Sequence, residues 1–372
     1  MNVTIYPGTL VGDIAAMPSK YDLHRLMIAA HLAGMDLERL PVISDDIEAT
    51  KECLQNMSGD CRESGSTLRF LLPVFAALGR EVTFTGTGRL PERPMQPLID
   101  ELRAKNCTID RDRLPIAIAG RLRPGVFTLP GGVSSQYVTG LLFALPLLEE
   151  RSEIALTSPL ESRGYVDMTL RTLRKFGIVI QETATGFGVP GGQRYLPPEG
   201  ALIPEGDWSA AAFWLGANAL GSRVRVTGLD GDSAQPDRAI MSLLENRGVM
   251  DASQCPDLVP IMAVVMALSP GRHEIINAAR LRIKESDRLH AMAANLNAMG
   301  ADVTELTDGL IINGKPALRG GEADSFGDHR IAMALAIAAL KCEGAVTLRG
   351  AEAVRKTYPR YWEDYQGLGG KL

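Results

Sequence analysis

Long apolar segments recur along the chain, and each of them begins with polar or charged residues. The segments are apolar on almost every side, which is typical of buried helices rather than of amphipathic surface helices. Polar groups at the start of a buried helix, together with the positive end of its dipole, favour an anionic ligand. We therefore expect several helix starts to bind anions. The starts are Ser19-Lys20, Glu63-Ser64-Gly65, Ser134-Ser135-Gln136, Asp207-Trp208-Ser209, Asp257 and Asp328-His329-Arg330.

A fixed order of further elements follows most of these segments. A short β-prone stretch comes first, then an amphipathic helix and, in several cases, a β-hairpin pattern. The β-prone stretches are 81–86, 153–158, 222–228, 273–278 and 345–350. The amphipathic helices are 97–105, 165–177, 236–248, 286–300 and 358–369, and the hairpin patterns are 107–120, 178–189 and 301–314.

Six such units predict an α/β (α+β) protein of two domains, with three units in each, buried helices inside and sheets outside. The first unit leaves almost no room for a hairpin between its amphipathic helix and Glu63, so we predict that it is shortened. We assign residues 1–17 with 206–372 to one domain and the inserted residues 18–205 to the other. A single mixed α/β domain with accidental similarity among its helices is the alternative.

Composition narrows the class of protein. The chain has 372 residues, of which 45% are hydrophobic and 22% charged, as in ordinary globular proteins. Its net charge of −5 gives no reason to expect a nucleic-acid interface. The five cysteines form no CxxC pair and the histidines no HExxH motif, so we expect reduced thiols and no metal. Without a signal peptide or a membrane-spanning run, the chain is expected in the cytoplasm.

The densest group of charges is residues 282–288. On a helix, Lys284 and Arg288 would share one face, and two like charges there are tolerated if an anion lies between them. The alternative is a solvated helix start. In the second group, Arg330 heads an apolar helix and must reach a polar cleft or a carboxylate, while Asp328 would cap that helix.

Weaker motifs add hydroxyl groups and cations. Residues 63–69 place small hydroxyl residues around a glycine, which suits close approach of a phosphate, although the chain has no Walker A motif. Ordinary helix capping would also explain the serines at these helix starts. Asp257 would act either as a helix cap or as a base. The remaining cationic or hydroxyl-bearing motifs are 18–25, 88–94, 133–136 and 355–359.

Taken in order, these motifs resemble the enolpyruvyl transferases, in the branch that acts on shikimate-3-phosphate. The resemblance extends from Gly8 to Tyr361 and includes GRLPERP, SSQYVTGLL, ESRGYVDMTL, RIKESDRL, DHRIAMALA and RKTYPRYWEDY. It implies an inside-out α/β barrel of six βαβαββ-type repeats in two domains that close over the substrates. It also implies transfer of the enolpyruvyl group of phosphoenolpyruvate to the 5-hydroxyl of shikimate-3-phosphate. Phosphate would leave through a tetrahedral intermediate, and no cofactor would be needed.

The resemblance also implies residue roles. Asp257 would take the 5-hydroxyl proton, Glu285 would protonate the methylene carbon, and Lys20 completes the catalytic set. The phosphoenolpyruvate site would comprise Lys20, Gly65, Arg93, Gln136, Arg288, Arg330 and Lys356. The shikimate-3-phosphate site would comprise Arg25, Ser134, Ser135, Gln136, Ser162, Tyr165, Asp257 and Lys284.

The sequence departs from the family pattern beside Lys20. Tyr21 stands where the family has a serine that helps to hold the shikimate carboxylate, and Asp22 adds a negative charge. Glu63 likewise replaces a common asparagine. Two other functions remain open: a non-catalytic or weakened binding protein, and transfer to UDP-N-acetylglucosamine. The resemblance favours a monomer that binds only small molecules, and a phosphoenolpyruvate pocket in which the herbicide glyphosate competes.

Overall fold

The computed structural model describes all residues from 1 to 372. The chain divides into two compact units. The terminal unit comprises Met1–Ser19 and Glu205–Leu372, and the inserted unit comprises Lys20–Pro204. Both contain helices and strands, so the predicted mixed α/β class with two domains is confirmed.

The helices and strands follow the apolar pattern closely. The helices are α1 (Lys20–Leu32), α2 (Asp45–Asn56), α3 (Gly65–Ala77), α4 (Gln96–Ala104), α5 (Ser135–Ala144), α6 (Arg163–Lys175), α7 (Trp208–Ala219), α8 (Ile240–Glu245), α9 (Val259–Ala267), α10 (Arg288–Ala298), α11 (His329–Ala339) and α12 (Tyr361–Gly367). The strands are β1 (Asn2–Ile5), β2 (Val11–Ala15), β3 (Val82–Phe84), β4 (Thr108–Ile109), β5 (Ile116–Ala119), β6 (Val126–Leu129), β7 (Ser152–Leu156), β8 (Gln181–Thr183), β9 (Gly186–Val189), β10 (Arg223–Thr227), β11 (Val249–Asp251), β12 (Gly271–Ile276), β13 (Asp302–Leu306), β14 (Gly309–Gly314), β15 (Gly321–Asp324) and β16 (Val346–Arg349). None of these helices combines the length and the apolarity that crossing a membrane requires.

The core of the terminal unit is formed by α7, α9 and α11, which pack against one another. Every residue of α9 and of α11 is buried, which explains why their sequences are apolar on all sides. Three sheets belong to this unit, with strand orders β1-β16-β15, β10-β2 and β11-β12-β14-β13. Each core helix is thereby followed by the β-prone stretch that its sequence predicts.

The inserted unit has its closest helix pair in α3 and α5. Gly140 makes this approach possible, because a Cβ atom there would lie 2.2 Å from the carbonyl oxygen of Arg69 and 2.7 Å from Cγ of Pro73. Two sheets with strand orders β3-β5-β4 and β6-β7-β9-β8 complete the unit. The tight packing brings the first turns of α3 and α5 together, which matters for the site described below.

Most of the predicted helix starts are capped as expected. The side chains of Ser64, Ser134, Asp207 and Asp328 each accept a hydrogen bond from a backbone N–H in the first turn of the helix that follows. Asp257 differs, because it lies inside a short 3-10 turn ahead of α9 rather than at a cap position. Its carboxylate instead takes part in the ion pairs described in the next subsection.

The first of the six repeating units predicted from the sequence lacks a hairpin, which confirms the predicted shortening. α2 ends at Asn56 and α3 begins at Gly65, and the segment between them contains only an isolated bridge from Asp60 to Thr85. The fourth unit is shortened too, which the sequence analysis missed. α8 ends at Glu245, and only the single strand β11 separates it from the turn that leads into α9. Its sheet, β10-β2, consequently has just two strands.

The chain passes between the terminal unit and the inserted unit at two places, after Ser19 and before Glu205. One buried side chain of the terminal unit contacts both of these crossing segments. The backbone N–H of Ser19 donates to the carbonyl of Glu205 at 2.7 Å. Gln235 lies beside this contact, 3% exposed. Its Oε1 accepts from Ser19 Oγ at 3.2 Å and from the Trp208 N–H at 3.0 Å, and its Nε2 donates to the Gly206 carbonyl at 2.8 Å. Gln235 therefore fixes both crossing segments.

Replacing Gln235 with alanine should lower the free energy of unfolding by about 2–3 kcal/mol, because it strands buried donors and acceptors. Urea denaturation measures the effect. The matched control is Gln55→Ala, which removes a solvent-exposed hydrogen bond to Glu38 and should change little. Equal effects of the two substitutions would contradict this assignment.

Candidate active site

Arg288 lies at the centre of a buried charge cluster in the terminal unit. The residue is 1% exposed and opens α10, whose N-cap is Asp287. Its Nη1 donates to Asp257 Oδ1 at 2.7 Å, its Nη2 to Glu285 Oε2 at 3.0 Å and its Nε to Asp328 Oδ2 at 2.7 Å. Three carboxylates therefore surround one guanidinium group. We call Asp257, Glu285, Arg288, Asp328 and Arg330 the arginine–carboxylate cluster.

Arg330 provides the second cation of this cluster. Its Nη2 donates to Asp257 Oδ2 at 3.2 Å and its Nη1 to the Asp257 carbonyl at 3.3 Å. The expectation that a cation at the start of an apolar helix must reach a carboxylate is thus confirmed. Asp257 bridges the two arginines, with one carboxylate oxygen on each. The paired guanidinium groups stabilise its ionised form.

Asp328 connects the cluster to the backbone. It is fully buried, and its side chain accepts hydrogen bonds from the Arg330 N–H at 2.9 Å and from Ser286 Oγ at 3.1 Å, in addition to the bond from Arg288. One side chain therefore caps α11 and aligns the first residue of α10. His329, 1% exposed, follows it at the start of α11.

The electrostatics of Arg288 follow from these contacts. Burial lowers the pKa of Arg288, but the carboxylates of Asp328, Glu285 and Asp257 raise it by more, so that the group stays protonated at every physiological pH. A buried charge of this kind is tolerated only when it is paired and hydrogen-bonded. The cluster is thus a preorganised site in which two cations are held next to carboxyl groups.

The two lysines assigned to the terminal unit occupy different settings. The prediction that Lys284 and Arg288 share a helix face is wrong, because α10 begins at Arg288 and Lys284 has extended backbone angles (φ −85°, ψ −156°). The cap formed by Asp287 starts the helix after Lys284. Lys284 is half-buried, and Lys356, 8% exposed, ends a 3-10 turn that packs on α11.

In the inserted unit, the first turns of α3 and α5 form a second cationic group. Arg69 is 3% exposed, and its Nη1 donates to Gln136 Oε1 at 2.9 Å. Gln136 Nε2 in turn donates to Ser66 Oγ at 2.9 Å. A Cβ atom on Gly65 would lie 2.7 Å from Nη1 of both Arg69 and Arg93. Glycine at this position therefore leaves room for two guanidinium groups at the start of α3.

Lys20 opens α1 and forms a nearly buried ion pair with α2. Its Nζ donates to Asp46 Oδ2 at 3.0 Å, and the two residues are 8% and 6% exposed. The ammonium group also lies 5.5 Å from the centre of the Tyr21 ring, within the range of a cation–π interaction. Asp46 thereby sets the direction of Lys20 from a neighbouring helix.

Arg25 points toward a different helix from Lys20. It is 2% exposed, and its Nε donates to Thr169 Oγ1 at 2.9 Å while its terminal nitrogens donate to the carbonyls of Tyr21 and Tyr165 at 2.5 and 2.7 Å. Burial lowers the pKa of Arg25 to about 10, so it remains a cation at neutral pH. The Tyr21 ring lies on the Tyr165 ring, with centroids 4.8 Å apart.

The remaining predicted residues lie at two adjoining loops of the inserted unit. Ser134 caps α5, and Ser135 is the first residue of that helix. Ser162 precedes α6 in the left-handed region, with φ 54°. The Glu161 N–H donates to the Gly131 carbonyl at 3.1 Å and the Gly132 N–H to Ser158 Oγ at 3.3 Å. These bonds hold the loops that precede α5 and α6 against each other.

Sequence reasoning missed three residues of these groups. Arg69 was detectable, because it is a cation within the first turns of an apolar helix, as Arg330 is. Ser66 lies in the hydroxyl-rich motif 63–69 but received no role of its own, and Asp46 gave no signal, because its importance depends on a partner in another helix. No cluster of histidine, cysteine, aspartate or glutamate side chains is arranged to hold a metal ion.

Comparison with known proteins identifies close relatives. The sequence profile of "EPSP synthase (3-phosphoshikimate 1-carboxyvinyltransferase)" matches residues 46–254 and 245–365. The 3-phosphoshikimate 1-carboxyvinyltransferases of Clostridium kluyveri and Clostridium acetobutylicum are 43% and 44% identical to this chain, over 100% of it and 98% of each relative. That of Clostridioides difficile is 38% identical over 100% of this chain and 98% of the relative.

Solved structures show the same fold. An EPSP synthase structure from Acinetobacter baumannii superimposes with a TM-score of 0.80, at 23% identity, covering 99% of this chain and 98% of the other. The alignments with the clostridial relatives extend over 418 and 421 positions, whereas this chain has 372 residues. The relatives therefore contain segments that this chain lacks.

The buried position of Asp328 generates a prediction about stability. Asp328→Ala should lower the free energy of unfolding by about 3–5 kcal/mol, because it leaves Arg288 without one of its buried partners and uncaps α11. Urea denaturation followed by circular dichroism measures the loss. Glu322→Ala, which breaks an exposed ion pair with Arg349, is the control and should have little effect. A similar loss in both variants would contradict the role given to Asp328.

Proposed function

The chain belongs to the EPSP synthase (3-phosphoshikimate 1-carboxyvinyltransferase) family, and from this membership we propose how its residues carry out the family's reaction. The protein is an enzyme of the shikimate pathway that transfers a carboxyvinyl group to 3-phosphoshikimate. The observation that carries the residue assignment is the arginine–carboxylate cluster, in which two buried guanidinium groups share the carboxylate of Asp257.

Arg288 and Arg330 bind the carboxylate of phosphoenolpyruvate in this proposal. The support is chemical, because paired guanidinium groups match a planar carboxylate and Asp257 already occupies both of them. The substrate carboxylate would compete with Asp257 for these donors. As Asp257 loses part of its pairing, its oxygens become able to accept the proton of the 5-hydroxyl group. Asp257 is therefore the proposed base.

Glu285 is the proposed acid that protonates the methylene carbon. Three carboxyl groups of the cluster face two guanidinium groups, so the cluster carries one negative charge in excess when all of them are ionised. A proton on one carboxyl removes that excess, and binding of an anionic substrate favours it further. Among the three, Glu285 has the most accessible side chain, at 15% exposure. The arginines would then stabilise the tetrahedral intermediate.

The phosphate of phosphoenolpyruvate is assigned to cations and N–H groups at helix starts. Gly65 offers an open backbone beside Arg93, and Lys20 is directed by Asp46. Gln136 and Lys356 complete this set. Because Lys20 also contacts the group that leaves, we place it with Asp257 and Glu285 in the catalytic set.

Shikimate-3-phosphate is assigned to the loops that precede α5 and α6. Ser134, Ser135, Gln136 and Ser162 supply hydroxyl and amide groups, which suit a phosphorylated polyol. Tyr165 offers its ring, and Lys284 a further cation. Arg25 is proposed to hold the carboxylate through the N–H groups that remain after its three internal bonds.

We also propose the finer architecture of the family for this chain. It would be an inside-out barrel of six βαβαββ-type repeats, in which the first and fourth repeats lack their hairpins. One domain would comprise residues 1–17 and 206–372, and the other would comprise residues 18–205. The longer relatives support the loss of hairpins. A monomer without nucleic-acid partners is proposed, and five unpaired cysteines support a reducing cytoplasm.

Phosphate release tests the activity directly. The purified chain should release phosphate only when phosphoenolpyruvate and shikimate-3-phosphate are both present, and it should release none when UDP-N-acetylglucosamine replaces the acceptor. Binding of phosphoenolpyruvate without turnover, measured by calorimetry, would instead favour a non-catalytic protein.

Asp257→Asn and Glu285→Gln should each lower kcat by about 10²-fold or more, because each removes one proton-transfer group and preserves the side-chain shape. Initial rates of phosphate release measure the change. The control is Glu322→Gln, which alters an exposed carboxylate of the same unit and should leave the rate unchanged. If either active-site variant retained most of the activity, its assigned role would be wrong.

Gly65→Ala should raise the KM for phosphoenolpyruvate by about tenfold, because the new methyl group displaces the guanidinium groups of Arg69 and Arg93. The KM for shikimate-3-phosphate should change less. Gly231→Ala is the control, because a methyl group added there would have no heavy atom within 4 Å beyond its chain neighbours. Steady-state kinetics with each substrate varied in turn distinguish these outcomes.

A further inference from the structure

Four buried, uncharged side chains of the inserted unit form a continuous line of hydrogen bonds. His24 Nδ1 lies 2.8 Å from Thr50 Oγ1, Thr50 Oγ1 lies 2.6 Å from Thr67 Oγ1, and Thr67 Oγ1 lies 2.7 Å from Ser64 Oγ. The exposure of every member is 0%. We call His24, Thr50, Thr67 and Ser64 the hydroxyl thread. Nothing in the proposed mechanism uses it.

The short contacts of the thread favour one direction for its protons, because the other acceptor near Thr50 Oγ1, the Asp46 carbonyl, lies 3.4 Å away. Thr67 donates its single hydroxyl proton to Ser64 Oγ. The short contact between Thr50 and Thr67 therefore needs the proton of Thr50. Thr50 then has no proton left for His24, so the ring must donate from Nδ1. The chain of bonds runs from His24 through Thr50 and Thr67 to Ser64.

The histidine end of the thread fits this direction. His24 Nε2 is buried without a hydrogen-bond partner, and the ring meets Phe70 edge-on at 6.1 Å between centroids. Burial lowers the pKa of His24 to about 3; Asp46 opposes this shift, whereas Lys20 and Arg25 add to it. The ring is thus neutral at physiological pH, with its proton on Nδ1. Nδ1 of His273 and Nδ1 of His290 also face oxygen acceptors, at 2.8 and 3.1 Å, so the signal of His24 has to be recognised by its dependence on Thr50.

The thread joins the helix of Lys20, the helix of its partner Asp46 and the helix that begins at Gly65. His24 belongs to α1, Thr50 to α2 and Thr67 to α3, and Ser64 caps α3 immediately before Gly65. One turn before Thr50, Asp46 on the same helix holds Lys20. With no hairpin between α2 and α3, these hydrogen bonds are a buried polar link between the partner of Lys20 and the turn at Gly65, in addition to the more exposed ion pairs of Arg62 with Glu48 and Glu52.

We propose that Thr50 is a positioning residue, which through the hydroxyl thread sets the distance between Lys20 and the Gly65 turn. This inference rests on the proposed function, because it assigns both groups to the phosphate of phosphoenolpyruvate. Buried hydrogen bonds polarise one another and specify geometry more narrowly than apolar contacts do. Thr50 itself touches no substrate in this account.

The thread is tested first without reference to activity. In the unaltered chain labelled with ¹⁵N-histidine, NMR should detect, among the Nδ1–H histidines, a neutral one that does not titrate between pH 5 and pH 9. Thr50→Val should shift or abolish that signal. If no Nδ1–H signal among the five histidines changed in Thr50→Val, the thread would be overturned.

Steady-state kinetics then test the positioning role. Thr50→Val keeps the shape of the side chain and should raise the KM for phosphoenolpyruvate about fivefold, while the KM for shikimate-3-phosphate changes much less. Thr50→Ser restores the hydroxyl and should return the KM to near its original value. An unchanged KM in Thr50→Val, or parallel changes for both substrates without rescue by serine, would overturn the proposal.

Thr172→Val is the matched control, because Thr172 is also buried in the inserted unit and its hydroxyl donates only within α6, to the Met168 carbonyl at 3.1 Å. It should leave both KM values unchanged.

If the unaltered chain showed no turnover, the proposed function would fail. The NMR experiment would still decide whether the thread exists. If Thr50→Val does not fold, Thr50→Ala, which removes the same hydroxyl, takes its place in both experiments with the same expected results.

Discussion

The burial of Arg288 is the interaction on which the candidate site depends. A guanidinium group removed from water is tolerated only if carboxylates and hydrogen-bond acceptors replace its hydration. The three carboxylates around Arg288 come from the turn before α9, the segment before α10 and the cap of α11. Satisfying one charge therefore fixes three helix starts relative to one another. The cluster that suits an anionic substrate is also the cluster that the fold needs to bury its cation.

The inserted unit meets the same constraint largely with neutral groups. Arg25 is buried against carbonyl and hydroxyl oxygens, and the hydroxyl thread joins α1, α2 and α3 without any charge. Lys20 is paired with a carboxylate, that of Asp46. Neutral acceptors offset less of the cost of burying a cation than carboxylates do. The pKa of Arg25 is accordingly lowered by burial, whereas the pKa of Arg288, which has three carboxylate partners, is raised. Cations that are less compensated by the protein are better placed to attract phosphate.

Much of the fold could be predicted from the sequence, because an apolar run with polar residues at its start leaves few alternatives to a buried helix. α3, α5 and α11 begin at or within one residue of the predicted polar starts. Contacts between distant residues could not be predicted, because a linear pattern carries no partner information. Asp46 is an example, and so is the start of α10, where the cap at Asp287 excludes Lys284 from the helix.

The first and fourth of the six repeating units, which have no hairpin, show which parts of the architecture the site requires. In both, the lost segment would follow an amphipathic helix, α2 or α8, and would add strands to a sheet. No candidate catalytic or binding residue lies in such a hairpin, because the charged groups of the site belong to the first turns of helices, to short 3-10 turns or to the loops that precede helices. Hairpins contribute sheet area and shield their helix, whereas helix starts carry caps and ion pairs. A chain can therefore lose outer strands and keep its chemistry, provided that buried hydrogen bonds such as those of Thr50 hold the remaining helices in place.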